Sequence, residues 1–186
     1  AQDSKPAAST EDETNLDTEL YLILATNQQA GEGKIPASLD QVVKQLRNTL
    51  PFKNFGLTAT LLNRVRSGGH LNLNWVGAPL LAPSSSTIST PSFNEFSIGA
   101  VKVVEAYGGQ VIRLLRFDFG SRIPIQTSTN IASSGTAVAP VFIYEHIGLV
   151  TDISVREGEP AVVGTLNVGS SGDTMVIVIA AKRAPK

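Results

Sequence analysis

Residues 20–25 (Leu-Tyr-Leu-Ile-Leu-Ala) are one dense apolar run entered directly from a polar, acidic stretch, and they limit the fold more than any other segment. The run is too short for a helix, and residues 27–33 follow it as a loop, so residues 20–26 read as a strand. Side chains of a strand alternate between two faces. Here both alternating sets are apolar, which predicts a central strand covered on both sides. If the chain itself covers only one side, the other needs a partner. Leu16, Leu20, Leu22 and Leu24 are therefore the candidate assembly interface.

One helix is predicted over residues 36–50. Leu39, Val42, Val43, Leu46 and Leu50 fall at i, i+3, i+4, i+7 and i+11, a single continuous face. Pro36 suits the first turn, and Pro51 ends the helix. Asp40 stands near the positive end, with Lys44 and Arg47 toward the negative end, as the macrodipole prefers. Phe55, Leu57, Ala59 and Leu61 then alternate with small or polar residues, which predicts a strand with one wet face. Ser67-Gly68-Gly69 turns the chain into a second alternating run, Leu71, Leu73 and Trp75.

Residues 77–92 are a Pro/Ser-rich connection, and everything from residue 93 onward reads as β. Phe96, Ile98 and Ala100 alternate, and Gly108-Gly109 is a hairpin signal. Residues 111–119 carry apolar side chains in both alternating sets, so that strand is expected between layers or covered on two faces. Residues 126–139 are small and polar, an expected loop. Strand runs follow at 141–153, 161–168 and 174–181, separated by turns at Glu157-Gly158 and Gly169 to Gly172. The expected class is α+β, mostly β: an N-terminal β-α-β-β unit followed by an antiparallel sheet or sandwich. The expected organisation is an extended acidic arm (1–18), a β-α-β-β module (19–76), the connection (77–92) and a β-rich module (93–186). The helix is expected to pack on the sheet of its own module.

Composition narrows the function classes. The 186 residues are 42% hydrophobic and 17% charged, against roughly 25% charged in typical soluble domains. A net charge of −1 offers no basic field for nucleic acid. No apolar run approaches the roughly 20 residues of a membrane-spanning helix. With no Cys there is no disulfide, thiolate nucleophile or Cys zinc site. Charge is unevenly placed: residues 1–20 hold six acids against one Lys5, a net of −5, and the rest holds ten acids against fourteen bases, a net of +4. Arm and body attract, within one molecule or between two. The opening Ala-Gln-Asp-Ser-Lys-Pro reads as the start of a mature exported chain.

No catalytic constellation stands out. His70 sits beside a Gly-Gly turn and His146 inside a strand, neither at metal-ligand spacing. Ser67 near His70 lies on a turn, not on a strand-to-helix elbow. Glu95, Glu105, Asp118, Glu145 and Asp152 are scattered over strands, without the paired placement glycoside hydrolysis requires. Gly31-x-Gly33, Gly108-Gly109 and Gly169-x-x-Gly172 lack the context of a phosphate loop. No cofactor, metal site or catalytic residue is expected.

Three stretches carry a resemblance. Gly120 and Pro124 in Phe119 to Ile125, Tyr144 and Gly148 in Val141 to Gly148, and Gly158 and Gly164 in Val155 to Leu166 are similar to the Gly-x-x-Val-Pro, aromatic-x-x-Val-Gly and late Gly/Val-Val-Gly-Gly-Leu motifs of bacterial secretins. Thr165 departs from the last motif, where secretins carry a second Gly. The resemblance covers roughly residues 113–181, and the β-α-β-β unit looks like the small modules that precede secretin cores. It implies an envelope location and strand-mediated assembly, without gate hairpins and so without a pore.

The expected function is a non-catalytic structural or assembly subunit of the bacterial envelope or exterior, self-associating through strand edges and the arm into a filament or ring. Its expected location is periplasmic, outer-membrane-associated or extracellular, and its candidate partners are itself and an envelope or secretion-system protein. Two alternatives stay open: a monomeric periplasmic binding or accessory module of a secretion system, and an unrecognised hydrolase.

Overall fold

In the computed structural model the described residues are 14–28, 34–77, 90–106, 109–128, 141–168 and 172–185. Most of the 77–92 connection, residues 129–139 of the polar loop, the arm up to residue 13, and the glycine sites at 31–33, 108 and 169 lie outside them. The elements are β1 (Asn15–Thr26), a 3-10 turn (Ala37–Leu39), α1 (Asp40–Thr49), β2 (Asn54–Arg66), β3 (Leu71–Gly77), β4 (Ser92–Ala106), β5 (Gly109–Ser128), β6 (Val141–Arg156), β7 (Ala161–Val168) and β8 (Asp173–Arg183).

The fold is mostly β and of the α+β class. Two antiparallel four-stranded sheets run in the orders β2-β1-β8-β7 and β3-β4-β5-β6, and α1 covers part of the first sheet's outer face. β1 lies at the centre of its sheet, as its two apolar sets require. Leu20, Leu22 and Leu24 face the second sheet, among Phe96, Phe117 and Ile177. Tyr21, Ile23 and Ala25 face the helix, among Leu39, Val43 and Leu46. β8 repeats the pattern, with Met175, Ile177 and Ile179 between the sheets and Val176 and Val178 under the helix. Each fully buried Leu, Ile or Val contributes about 1.5–3 kcal/mol, so these two strands anchor all three layers.

The helix follows its sequence signals. Leu39 N–H donates to Pro36 C=O at 2.9 Å, opening the 3-10 turn. Leu50, ahead of Pro51, is extended at ψ 140° while its N–H still reaches Leu46 C=O at 2.8 Å. The buried face is Leu39, Val42, Val43 and Leu46, with Leu50 half-buried.

The expected division at residues 77–92 does not describe the sheets. The helix packs on strands from both ends of the chain, Ile23 of β1 and Val176 and Val178 of β8. β3 leaves the β-α-β-β unit and pairs with β4, from Leu71↔Ile98 to Gly77↔Ser92. The physical reason lies at residues 67–69. Gly68 takes φ +78°, a conformation that favours glycine, and its N–H donates to Val101 C=O of β4 at 2.7 Å. Gly69 C=O accepts from Val101 N–H at 3.1 Å. The turn is thus a corner that carries the chain from one sheet to the other. A matching corner at Glu157-Gly158 returns it: Gly158 has φ +80° and donates to Ala181 C=O of β8 at 2.8 Å. One core therefore joins Leu16 and Val65 with Phe96, Val155 and Ala181.

Two bulges change which side chains face inward. The β1–β2 register shifts between Leu22 and Ile23, and the Thr58 hydroxyl donates to Leu22 C=O at 2.9 Å. Ala59 and Leu61 consequently pack between the sheets, whereas Phe55 and Leu57 pack under the helix. The single wet-faced alternation expected there is really two half-strands buried on opposite faces. In β5 the register against β6 shifts between Leu114 and Phe117. Arg116 adopts φ +51°, rare for a non-glycine residue, and its N–H donates to the Asp152 carboxylate at 2.6 Å. Ile112 and Leu114 point inward before the bulge and Phe117 and Phe119 after it, which explains the mixed pattern of residues 111–119.

Candidate assembly surfaces

Of the ionisable groups singled out in sequence, His146 and Glu95 come within 3.5 Å of each other, and no third one joins them in a metal-holding group among the described residues. His70, Glu145 and Asp152 are exposed, and Asp152 is engaged by the Arg116 backbone. Ser67 forms part of the sheet-to-sheet corner. Among the described residues, no three His, Asp or Glu side chains gather closely enough to hold a metal ion. No helix among them is long and apolar enough to cross a membrane.

Charged side chains instead form a ladder on the part of the first sheet that the helix leaves uncovered. Arg64 grips Asp17 with two hydrogen bonds of 2.7 and 3.2 Å. Lys182 meets Glu19 at 3.3 Å, and the Tyr21 hydroxyl donates to Glu19 at 2.5 Å. The Arg64 hydrogen bond holds the Asp17 carboxyl below its ordinary range, and Arg183 does the same for Glu157. Burial, followed by the Glu19 contact, raises the Tyr21 hydroxyl. The recess beside them, lined by Glu19, Tyr21, Ser38, Pro160 and Lys182, is about 130 Å³. The carboxylates at this recess are satisfied by cations, as expected of a structural ion-pair network.

The outer face of the second sheet carries a shallow groove of about 470 Å³, bordered by Asn74, Val76, Phe93, Glu95, Arg122 and His146. Its flat floor follows from two glycines opposite each other, Gly120↔Gly148. A Cβ on Gly120 would collide with the Glu95 carboxylate, and one on Gly148 with Phe119 C=O. Over this floor Glu95 and His146 approach to 3.5 Å, both largely exposed. Phe93 and Tyr144 pack ring to ring nearby at 5.5 Å.

Exposed apolar side chains follow a simple rule. Among the described residues, seven large ones are exposed, and six of them sit on the outermost strands of the two sheets: Leu62 on β2, Val76 on β3, and Val141, Ile143, Tyr144 and Val150 on β6. β6 runs for sixteen residues and, among the described residues, pairs with β5 on one side only. Natural edge strands are usually short, charged or covered, because a bare edge templates pairing with another chain. β6 is long and carries four exposed apolar side chains.

Leu16, Leu20, Leu22 and Leu24 are placed differently from the sequence expectation. Three are fully buried and Leu24 is 4% exposed, all facing the second sheet. The chain covers both sides of β1 itself, so no surface of these four is left for a second subunit. The exposed apolar residues of β6 were missed because an edge strand and a half-buried strand share the same alternation. The signal available was Val150, apolar on the face it shares with His146, Gly148 and Asp152.

No family model matches this chain, and no curated protein matches it. Among solved structures it is similar to the secretin domain β-barrel of InvG from the Salmonella SPI-1 injectisome, at 11% identity and TM-score 0.40, over 93% of this chain and 64% of that one. It is similar to PulD in the Klebsiella pneumoniae type II secretion outer membrane complex, at 13% identity and TM-score 0.36, over 93% of this chain and 39% of that one. It is also similar to the V. cholerae type IV competence pilus secretin PilQ, at 14% identity and TM-score 0.35, over 92% and 58%. The chain spans less than two thirds of each of these secretin chains.

Proposed function

We propose that this chain is a non-catalytic assembly subunit of the bacterial envelope or exterior that joins copies of itself edge to edge, with β6 as the principal edge. The observation that carries this reading is the concentration of exposed large apolar side chains on outermost strands, four of them on β6. Pairing of β6 with an edge strand of another copy satisfies its unpaired backbone groups and removes Val150, Ile143 and Tyr144 from water in one step. The envelope part of the reading rests on the motif resemblance around Gly120, Tyr144 and Gly158.

The test is the association state of the full chain against an Ile143→Lys/Val150→Lys variant, by light scattering and sedimentation. The native chain is expected to associate at about micromolar concentration, and the variant to shift toward monomer with an unchanged melting temperature. A native chain that stays monomeric at about 100 μM, or a variant that associates equally well, refutes the proposal.

A second reading, a monomeric accessory module, is favoured by the groove beside Phe93, Glu95 and His146. It requires that Phe93→Ala abolish capture of an envelope partner while leaving the chain monomeric. Unchanged capture would remove it.

A further inference from the structure

Antiparallel pairing sets exposed cations side by side on the face of the second sheet that points away from the first. Lys102 of β4 stands directly opposite Arg113 of β5, both exposed. One row on, Val104, Val111 and Arg156 follow each other across β4, β5 and β6, so Arg156 is diagonal to Arg113. Like charges in direct cross-strand register disfavour the pairing. Among the described residues, neither Lys102 nor Arg113 has a carboxylate within salt-bridge distance. Arg156 has one long contact, to Glu159 at 3.9 Å, and its side chain stays 76% exposed. Asp152, on the same face, is committed to the Arg116 backbone.

A fourth cation reaches this face through a strained backbone. The β5 bulge holds Arg116 at φ +51°, which glycine adopts freely and arginine does not. The Arg116 side chain lies over Gly99 of β4, where a Cβ would meet it at 3.2 Å. A like-charged pair, a strained arginine and a glycine inside a strand each run against local stability. Here all three bring a cation to one face or make room for it. Local rules that fail together at one place mark a functional site, and bulges recur where a side chain must be re-aimed.

We propose that Lys102, Arg113, Arg116 and Arg156 form a docking surface for the headgroup phosphates of an anionic lipid bilayer. The charges are complementary, and the face of a sheet offers several cations to a surface at once. Apolar groups accompany them, as an interface between headgroups and acyl chains favours: half-buried Val104 and Val111 sit among the cations, and Val150, further along the face, is 63% exposed. Single-stranded nucleic acid takes aromatic rings to stack on, and none stands among these residues. A duplex is read by an element that enters a groove, which the face of a four-stranded sheet does not. The inference is independent of whether β6 assembles, because these side chains project out of the sheet and the edge groups lie in its plane.

The test is co-sedimentation of the full chain with vesicles of phosphatidylcholine alone or with about 30% phosphatidylglycerol added. Binding is expected to the anionic vesicles only, and to fade at about 0.5 M salt. Lys102→Glu and Arg113→Glu each turn the like-charged pair into an opposed one. Each should therefore melt no lower than the parent while its partition falls about fivefold or more. The double reversal restores a like-charged pair, now acidic, and should melt near the parent with binding lost. A purely structural patch would not separate melting from binding in this way. Should a reversal fail to fold, Lys102→Gln with Arg113→Gln keeps the test, with partition down about 25-fold. Equal binding to both vesicle types, binding that survives the reversals, or no binding to either overturns the proposal. So does a short oligonucleotide or polyglutamate that the parent binds through these residues while leaving vesicles in solution, which would assign the patch to another partner.

Discussion

Covering β1 on both faces makes a demand that a singly covered strand does not. Leu22 is fully buried between the sheets and Ile23 fully buried under the helix, one residue apart on the same strand. Leu22→Ala removes most of a side chain from a packed cluster and leaves a cavity, which costs about 2–5 kcal/mol. Ile23→Ala falls in the same range for the same reason. Domains of this size are stable by about 5–15 kcal/mol, so either change removes a large share. In a chain of this length each kcal/mol moves Tm by about 2–4 °C, so each variant should melt about 4–20 °C lower. Leu62→Ala, at a position 69% exposed, should stay within about 0.5 kcal/mol of the parent. The assay is urea unfolding followed by the single Trp75, repeated at two protein concentrations. A large loss at one of the two positions and less than about 1 kcal/mol at the other would refute double coverage. A Leu22→Ala loss that grows on dilution would place Leu22 between copies, the alternative to coverage by its own chain.

Three further outcomes follow from individual contacts. Arg116→Gly should hold or raise stability, by up to about 1 kcal/mol, because glycine takes φ +51° without strain; a clear loss in a thermal melt would mean the Arg116 side chain contributes more than its backbone costs. Gly148→Val should cost well over 1 kcal/mol, since its side chain meets Phe119 C=O and that backbone sits in the centre of the sheet; a melt like the parent's would refute the close approach. Asp17 and Glu157 titrate below their ordinary values of 3.8 and 4.5 in the folded chain, so the unfolded chain takes up protons first as pH falls. Their contribution is complete above about pH 5 and is lost as pH drops through the folded values; both groups are in half-buried ion pairs at the surface, open to solvent on one side, so the effect is small and fades with salt. Asp17→Asn with Glu157→Gln should flatten the pH dependence of Tm below about pH 5, and an unchanged slope would count against these ion pairs.

Much of the local structure is legible in the amino-acid sequence. The β1 run, the α1 face from Leu39 to Leu46, and the strands around Leu71 to Trp75, Ala161 to Val168 and Asp173 to Arg183 all follow from period and punctuation. The candidate site was less legible. Leu16 to Leu24 advertised burial, yet alternation cannot say whether the covering layer belongs to the same chain. β6 reads as an ordinary strand, because its one signal, an apolar Val150 on the face of His146 and Asp152, marks an exposed side chain without saying that the strand is outermost.

The amino-acid order by itself determined which segments extend, which one coils, and that β1 must be covered twice, because these depend on side-chain period within a few residues. Partners and layers belong to the tertiary structure. Gly68 and Gly158 mark reversals in any context, and only the surrounding strands make each a corner between sheets instead of a hairpin within one. The bulges opposite Leu22 and at Arg116 reverse which alternate residues face inward, and they exist only against their paired strands. The pairing of β1 with β8 joins Leu20 to Ile179 across nearly the whole chain. Closure over that separation is decided by what the assembled layers bury together, a quantity that no local window of sequence contains.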